Sequence, residues 1–277
     1  MVLTESRTCA TRPNLDVIFP DQVTWRLLRM ADETYVKLDP AKMGYKACGI
    51  VPPEQQSLLC EAFASLKRSM GSRRWNYRLR AKKIFWINIW QEEEDDIEAK
   101  RGTVEISDPR IARALGKWCG QAVRKYCEPN AIMDAYGFIV NPKGTRYNQP
   151  WHIDSTTDAA VIWIPLTPFT EKNATQYITL PSDTPEDVLE RVAANVDEVN
   201  LPALARRVKS LIVQQVVADP MSILYMGRGT IHRGIRNVGD DDRIAFFISV
   251  HFIKDYEKNY PYRSESLRRY ESSVGAF

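Results

Sequence analysis

The sequence predicts a mixed α+β protein with a double-stranded β-helix core, the jelly-roll fold also seen in cupins, which N-terminal helices support. Three observations favour it: helical apolar spacing lies early, strand patterns dominate from residue 131, and the late strands carry a His-x-Asp pair. The 277 residues, 44% of them hydrophobic, suffice for one large core. We therefore expect one domain over 1–277, with helical support at about 1–130, the β-helix at about 131–253 and a helical insertion at about 185–210.

The elements before the β-helix are predicted from apolar spacing and from glycine and proline. A helix over 54–70 carries apolar residues at helical spacing and ends at Gly71. The run Ile-Phe-Trp-Ile-Asn-Ile-Trp at 84–90 indicates a strand, and the acidic run at 92–98 indicates a solvated loop. Pro109 begins a second helix, since proline fits the first helical turn.

The second half of the chain is dominated by strand patterns. Strands are predicted at 131–140, 151–154, 159–166, 175–180, 211–217, 222–226 and 243–252. The insertion consists of two amphipathic segments, 188–196 and 201–208. Selectivity usually comes from segments at the mouth of a barrel, so we expect this insertion to act as a lid that selects substrate.

The last predicted strand shows which of its faces is buried. One face is wholly apolar and consists of Ile244, Phe246, Ile248, Val250 and Phe252. We expect it to pack under the helices, because side chains alternate between the two faces of a sheet. Arg243 opens the other face, and it either points into an internal pocket or lies in solvent at the strand start. His251, further along that face, is expected to be a structural core histidine.

A His-x-Asp pair and a distant histidine have the spacing of a mononuclear metal site. His152 and Asp154 point to the same side of a strand, because strand side chains alternate with period two. His232 lies far enough along the chain to return across a barrel. Two histidines and one carboxylate form the facial triad that binds Fe(II) and leaves coordination positions open. The chain has three histidines, and two of them fall in this pattern.

These residues carry a family resemblance. Gln-Pro-Trp-His-Ile-Asp at 149–154, Gly-Arg-Gly-Thr-Ile-His-Arg-Gly at 227–234 and Arg243 resemble the Fe(II)/2-oxoglutarate-dependent dioxygenases, in particular the phytanoyl-CoA dioxygenase-like branch. The resemblance covers about 130–253 well. It implies that Fe(II), the co-substrate 2-oxoglutarate and O2 act together, with release of succinate and CO2.

The resemblance also implies a role for each residue. His152, Asp154 and His232 would be the metal ligands and the catalytic residues. Arg243 would bind the far carboxylate of 2-oxoglutarate, which a planar guanidinium does better than lysine.

Two further residues match family positions near the co-substrate. Gln149 would hydrogen-bond it and Trp163 would line its pocket, although a loop amide and a core aromatic are equal alternatives. The carboxylate of Asp154 favours hydroxylation, desaturation or rearrangement, since halogenase relatives lack it.

Composition limits location and partners. Five cysteines without a CxxC pair indicate reduced thiols, no signal peptide is visible at the N-terminus, and no apolar run approaches the roughly 20 residues that span a bilayer. We expect a cytoplasmic protein with no membrane association. Eight lysines and arginines at 67–83 could bind nucleic acid or an acidic substrate, but with a formal charge of +3 we expect a solvated helix end and loop and no nucleic acid.

Three functions stay open at this point. The first is an oxygenase of a small molecule, such as a natural-product intermediate or a lipid-like acid. The second is a dioxygenase of a protein or nucleic acid, and the third is a non-catalytic jelly-roll protein that binds a metal. The sequence does not identify the substrate, the position oxidised or the oligomeric state.

Overall fold

The structure is a computed structural model that describes residues 38–91, 104, 106–154, 159–194, 198–208 and 211–252. The predicted acidic loop at 92–98 lies outside the described residues. Among the described helices, none combines the length and the apolar character that crossing a bilayer requires. The cytoplasmic location stays a prediction.

The described elements follow one another from a short 3-10 turn at Pro40–Lys42. The strands are β1 (Tyr45–Ile50), β2 (Phe85–Gln91), β3 (Ala131–Asn141), β4 (Ala159–Pro165), β5 (Thr175–Thr179), β6 (Ile212–Val216), β7 (Ser222–Met226), β8 (Ile231–Gly234) and β9 (Arg243–Phe252). The helices are α1 (Pro53–Arg80), α2 (Pro109–Tyr126), α3 (Glu186–Ala193) and α4 (Leu201–Ala205). Asp108 caps α2 by accepting a hydrogen bond from the amide of Arg110 at 2.9 Å, and Pro109 occupies its first turn as predicted.

Two antiparallel sheets form the core. The larger has the order β1-β7-β4-β9-β3-β2 and the smaller the order β6-β5-β8. An isolated antiparallel bridge between His152 and His232 extends the small sheet beyond β8. From β3 onward the chain passes back and forth between the two sheets, which is the winding of a double-stranded β-helix, and the predicted fold class is confirmed. β1 and β2 are additions at the two edges of the large sheet.

The helices cover the outer face of the large sheet. The apolar face of β9, including Phe246, Ile248 and Val250, is buried in one cluster with Leu66 of α1 and Leu115 of α2. The opposite face of β9 looks toward the small sheet, because its Phe247 and Ala245 share a second cluster with Val216 of β6. The predicted division of the two faces is therefore confirmed.

The helix predicted over 54–70 is longer in the structure. Gly71 does leave the helical conformation, with φ 71° and ψ 151°, but helical turns resume and continue to Arg80. Most of the basic stretch therefore lies on a helix, where Lys67 covers the ring of Trp75 at 5.2 Å. The expectation of a loop in this stretch was wrong, because a kink at one glycine does not prevent a second helical segment from packing.

The insertion lies behind the small sheet. Val188 and Val192 of α3 share a buried cluster with Trp151, Ile153 and Ile231, which flank the predicted metal ligands along the chain. The amide of Val199 also donates to the carbonyl of Trp151 at 2.6 Å. These helices bury the outer face of the strands whose inner face carries the site, so their packing does not support the expected lid, and selection of substrate by the insertion stays a prediction.

Close packing of backbone against backbone at Gly137 generates a stability prediction. A β-carbon at Gly137 would lie 2.2 Å from the carbonyl oxygen of Ile87, beside the bulge between Asn88 and Trp90. Since neither backbone can yield cheaply, Gly137→Ala should lower the free energy of unfolding by about 1–3 kcal/mol. Urea denaturation followed by circular dichroism measures it.

Gly116→Ala is the matched control. It lies inside α2, and its added β-carbon would meet the hydroxyl of Tyr136 at 3.3 Å, the end of a side chain that can shift. Alanine also favours a helix over glycine by about 1 kcal/mol, so this variant should keep or gain stability. Equal stability of Gly137→Ala and the unsubstituted protein would contradict the close approach.

Candidate metal centre

The bridge between His152 and His232 places two imidazoles side by side. Each backbone amide donates to the other residue's carbonyl, at 3.0 and 2.9 Å, and the ring centroids lie 4.4 Å apart. His232 belongs to β8, whereas His152 stands in a segment too short to be assigned as the strand predicted over 151–154. One backbone pair therefore fixes the relative position of both rings.

Backbone carbonyls orient both imidazoles. Nδ1 of His152 lies 2.9 Å from the carbonyl of Pro150, and Nδ1 of His232 lies 3.0 Å from that of Thr230. A carbonyl oxygen can only accept, so each Nδ1 is the protonated nitrogen and each Nε2 is left with its lone pair. This is the tautomer that a metal ligand needs, fixed by the hydrogen bond on the other ring nitrogen.

The carboxylate of Asp154 completes the group. Its Oδ1 lies 3.5 Å from Nε2 of His152 and 3.3 Å from Nε2 of His232. Burial raises the pKa of Asp154, but in the absence of a metal the charge of protonated His232 and the hydrogen bonds that both protonated imidazoles donate outweigh it and hold the pKa well below its usual range. The carboxylate is thus ionised, and the three ligand atoms lie within 4.8 Å of one another. A bound metal ion would take the place of the protons on the two Nε2 atoms.

The donor set fits a divalent metal ion. Two neutral imidazole nitrogens and one carboxylate oxygen are the ligands of the mononuclear iron site predicted from the sequence. Among the described residues, no other group of three or more potential ligands comes together in this way. The structure therefore brings together all three residues predicted as ligands.

Arg243 lies inside the fold at the start of β9, so the solvent alternative was wrong. It is 3% exposed, and its Nη1 donates to the carbonyl of Asn173 at 2.8 Å and to Oγ1 of Thr175 at 3.2 Å. Its guanidinium carbon lies 4.9 Å from the ring centre of Phe169. Burial lowers the pKa of Arg243 to about 10, so the side chain remains a cation at neutral pH.

Two polar atoms on the inner face of the large sheet lack partners within the described part of the chain. Nε of Arg243 and Nε1 of Trp163 are buried without a hydrogen bond there. Buried donors are nearly always satisfied, so two such atoms on the inner face of the large sheet indicate a place for a ligand with acceptor oxygens. Trp163 also packs as a core aromatic, with its ring centre 6.2 Å from that of Phe247.

Gln149 is held next to the metal ligands. Its side-chain carbonyl accepts from the amide of Gly234 at 2.8 Å, and its backbone amide donates to the carbonyl of Gly234 at 2.9 Å. These contacts fix the segment before His152 against the strand of His232. Its predicted contact with the co-substrate stays a prediction.

Two tyrosines lie beside the triad; the sequence offers Tyr177 as a residue that could meet co-substrate or substrate, whereas Tyr45 was not predicted. Tyr177 stands opposite His232 in the pairing of β5 with β8, and its ring centre lies 5.1 Å from that of Tyr45. The pKa of Tyr45 is raised well above its usual value, chiefly by burial and next by the charge of Asp154, while Arg243 acts in the opposite direction. Tyr45 therefore senses both charged groups of the site.

The sequence indicates an inward position for one of these two tyrosines but not for the other. Tyr177 shares a strand face with Thr175, which made an inward position recognisable. Tyr45 lies on an edge strand that was not predicted, and no motif surrounds it.

The third histidine stands apart from the triad. His251 is 7% exposed, and its Nε2 lies 3.4 Å from Oδ2 of Asp134. It is not among the residues that gather around Asp154. This placement agrees with the expectation that His251 is a structural residue.

Comparisons with known proteins add structures that resemble this chain. No protein-family model and no curated protein sequence matches it. The non-heme alpha ketoglutarate dependent carbocyclase SnoK from nogalamycin biosynthesis is 17% identical, over 76% of this chain and 81% of its own, with a TM-score of 0.47. EctD from S. alaskensis is 14% identical, over 77% of this chain and 75% of its own, with a TM-score of 0.49.

A third structure, EvdMO1, is 13% identical over 76% of this chain, with a TM-score of 0.46. This chain spans about half, 47%, of the length of EvdMO1. All three TM-scores are below 0.5. The fold of this chain is therefore established by its own strand order, and its function is argued from its own side chains.

The histidines provide a prediction with an internal control. His152→Ala and His232→Ala each remove one of three protein ligands, so each should weaken binding of Fe(II) by more than about 100-fold, beyond the loss typical of an outer-shell partner. Anaerobic isothermal titration measures the affinity. His251→Ala removes a histidine of similar burial outside the triad and should bind Fe(II) normally. Equal losses in all three variants would mean that the triad is not the metal site.

Proposed function

We propose that this protein is a non-haem Fe(II)- and 2-oxoglutarate-dependent oxygenase that oxidises a small organic molecule. The observation that carries the proposal is a buried arginine, cationic at neutral pH, close enough to two oriented imidazoles and a carboxylate that Arg243 and Asp154 both act on the charge of Tyr45. A metal site alone needs no such cation. A co-substrate with one chelating end and one free carboxylate needs both.

The spacing of the two groups supports this co-substrate. Arg243 touches Thr175, and Tyr177 stands opposite His232. Thr175 and Tyr177 are two residues apart on β5, which corresponds to about 7 Å along a strand. A short dicarboxylic acid such as 2-oxoglutarate fits a site with the metal ligands at one end and a guanidinium at the other.

Each residue then has a defined task. His152, Asp154 and His232 would hold Fe(II), and Arg243 would hold the far carboxylate of 2-oxoglutarate through charge-assisted hydrogen bonds. When bound, Fe(II), 2-oxoglutarate and O2 supply the oxidation: one oxygen atom enters succinate as CO2 leaves, and the other serves to oxidise a C–H bond of the substrate.

The surrounding side chains exclude water from this chemistry. Ile139, Val161 and Leu224 are buried on the inner face of the large sheet. An apolar wall strengthens every charged contact inside the site and keeps competing water away. Hydroxylation, desaturation and rearrangement all remain within the proposed reaction class, since Asp154 is present.

A small-molecule substrate agrees with the position of the basic residues. Lys67 lies over Trp75 of its own helix, and Arg78 lies 5.8 Å from the ring centre of Phe85. These cations cover aromatic rings on the helical side of the large sheet, whereas the triad lies on the small sheet and faces the other, inner side of the large sheet. We therefore retain the proposal that a small molecule, such as a natural-product intermediate, is the substrate and that nucleic acid is not.

A lysine substitution distinguishes the paired hydrogen bonds that Arg243 would donate to 2-oxoglutarate from the effect of its positive charge. Arg243→Lys keeps a cation but loses the planar pair of donors, so the dissociation constant of 2-oxoglutarate should rise about 10- to 100-fold, the range for losing a charged hydrogen bond. Affinity for Fe(II) should not change, because no metal ligand is altered. Anaerobic titration with Fe(II) and then with 2-oxoglutarate measures both.

Arg207→Lys is the matched control, since Arg207 pairs with Asp187 on the exposed side of the insertion at 3.1 Å. It should bind 2-oxoglutarate normally. Unchanged affinity in Arg243→Lys would show that another group holds the co-substrate. A succinate assay with Fe(II), 2-oxoglutarate and a panel of small molecules tests catalysis itself, and a non-catalytic protein would release no succinate with any of them.

A further inference from the structure

An exposed tryptophan lies at the edge of the large sheet, against rings of its inner face, on a strand that the eight-stranded core does not require. Trp86 belongs to β2 and is 40% exposed, although large aromatic side chains are generally well covered. Its ring centre lies 5.1 Å from that of Phe247, edge to face at 82°, and 5.7 Å from that of Trp163. Two buried rings thus hold Trp86 in a fixed orientation while part of its surface is open.

The position of β2 places this open ring near the metal ligands. β2 is the last strand of the large sheet on the side of β3, and the His152 segment is the last of the small sheet beyond β8. The two edges meet at Gly234: a β-carbon there would lie 2.5 Å from Oε1 of Gln149 and 2.9 Å from Cδ1 of Ile84. Ile84 immediately precedes β2, and Trp86 follows two residues later on the same side of the strand.

We propose that Trp86 determines substrate specificity by stacking against a flat, conjugated ring of the substrate, which rests on the oxygenase function proposed above. Aromatic rings prefer offset or edge-to-face packing, and an ordered cluster with one open member already provides the partners for a further ring. The rings of Phe247 and Trp163 already hold the ring of Trp86 in one orientation, so little side-chain entropy is lost when a ligand binds.

The charges nearby favour an uncharged ring over a cationic ligand. A tryptophan face also attracts cations. However, the guanidinium of Arg243 lies on the same inner face of the large sheet, and it and the proposed metal ion would repel a cation. The carboxylate of Asp154 could attract a cation, but a metal ion bound by the triad would neutralise its charge.

A pair of matched probes tests the proposal. 2-Naphthol and decahydro-2-naphthol share a carbon skeleton and a hydroxyl group, but the first is flat and conjugated and the second is puckered and saturated. Each is titrated into the protein loaded with Fe(II) and 2-oxoglutarate under nitrogen, so that no turnover occurs. The unsubstituted protein should bind 2-naphthol more tightly, and Trp86→Leu should raise its dissociation constant about 3- to 10-fold, the size of one aromatic pair.

Two further variants make the result specific. Trp86→Phe keeps an aromatic ring and should keep most of the preference for 2-naphthol. This variant keeps the proposal testable if leucine at this position disturbs the packing of β2. Tyr77→Leu removes an aromatic side chain that is 71% exposed on α1, away from the cavity, and should change nothing. Equal binding of the two probes by the unsubstituted protein, or an unchanged preference in Trp86→Leu, overturns the inference.

Affinities for Fe(II) and 2-oxoglutarate, measured on the same samples, separate the two proposals. If both bind normally while the two probes bind alike, the role of Trp86 fails and the oxygenase function stands. If neither binds to the unsubstituted protein, the proposed function fails and the inference fails with it.

Discussion

The backbone pair between His152 and His232 governs both faces of the small sheet. Because strand side chains alternate, the register that turns these imidazoles inward also turns Trp151, Ile153 and Ile231 outward, where the insertion buries them. A slip of one residue would exchange ligands for apolar side chains on each face. The metal site and the core behind it are therefore specified by the same hydrogen bonds, and the burial of the outer face stabilises the geometry of the inner one.

The large sheet, across from the metal ligands, contains a side chain whose burial costs free energy. Arg243 is a buried cation, and among the described residues no carboxylate pairs with it. Removing such a charge from water costs several kcal/mol, which a carbonyl, a hydroxyl and the face of Phe169 offset only in part. A side chain selected for stability alone would be apolar here. An anionic ligand would supply the missing partner, so the cost is the physical reason to connect this side chain with a carboxylate.

The parts predicted well from the sequence are those whose pattern is local. β9 alternates over its whole length, so its ends and both of its faces follow from the residues, and His152 with Asp154 are two positions apart on one segment. β8 was missed because it has four residues and includes a histidine and an arginine. β1 was missed because it is an edge strand with a bulge between Ala47 and Gly49 and no alternating pattern.

The role of the insertion and the position of Tyr45 depend on contacts distant in the chain. Amphipathic segments reveal that a helix has one buried face but not which surface covers it, so α3 was assigned to the mouth although it packs behind the ligands. Tyr45 reaches Tyr177 across more than a hundred residues of chain, and no local pattern reports such a contact.

The additions at the edges of the large sheet have a different role from the core. The β-helix, with the His152 segment at the end of its small sheet, carries the triad and Arg243, which are groups that any substrate of this chemistry would need. β1 and β2 lie outside that set, and they contribute Tyr45 and Trp86, one at each edge. An edge strand can change its side chains without disturbing a ligand, since its inward residues touch the cavity and its backbone pairs on one side only. Selectivity is therefore expected to change at these edges while the metal and co-substrate groups stay fixed, because altering the central strands would disturb both.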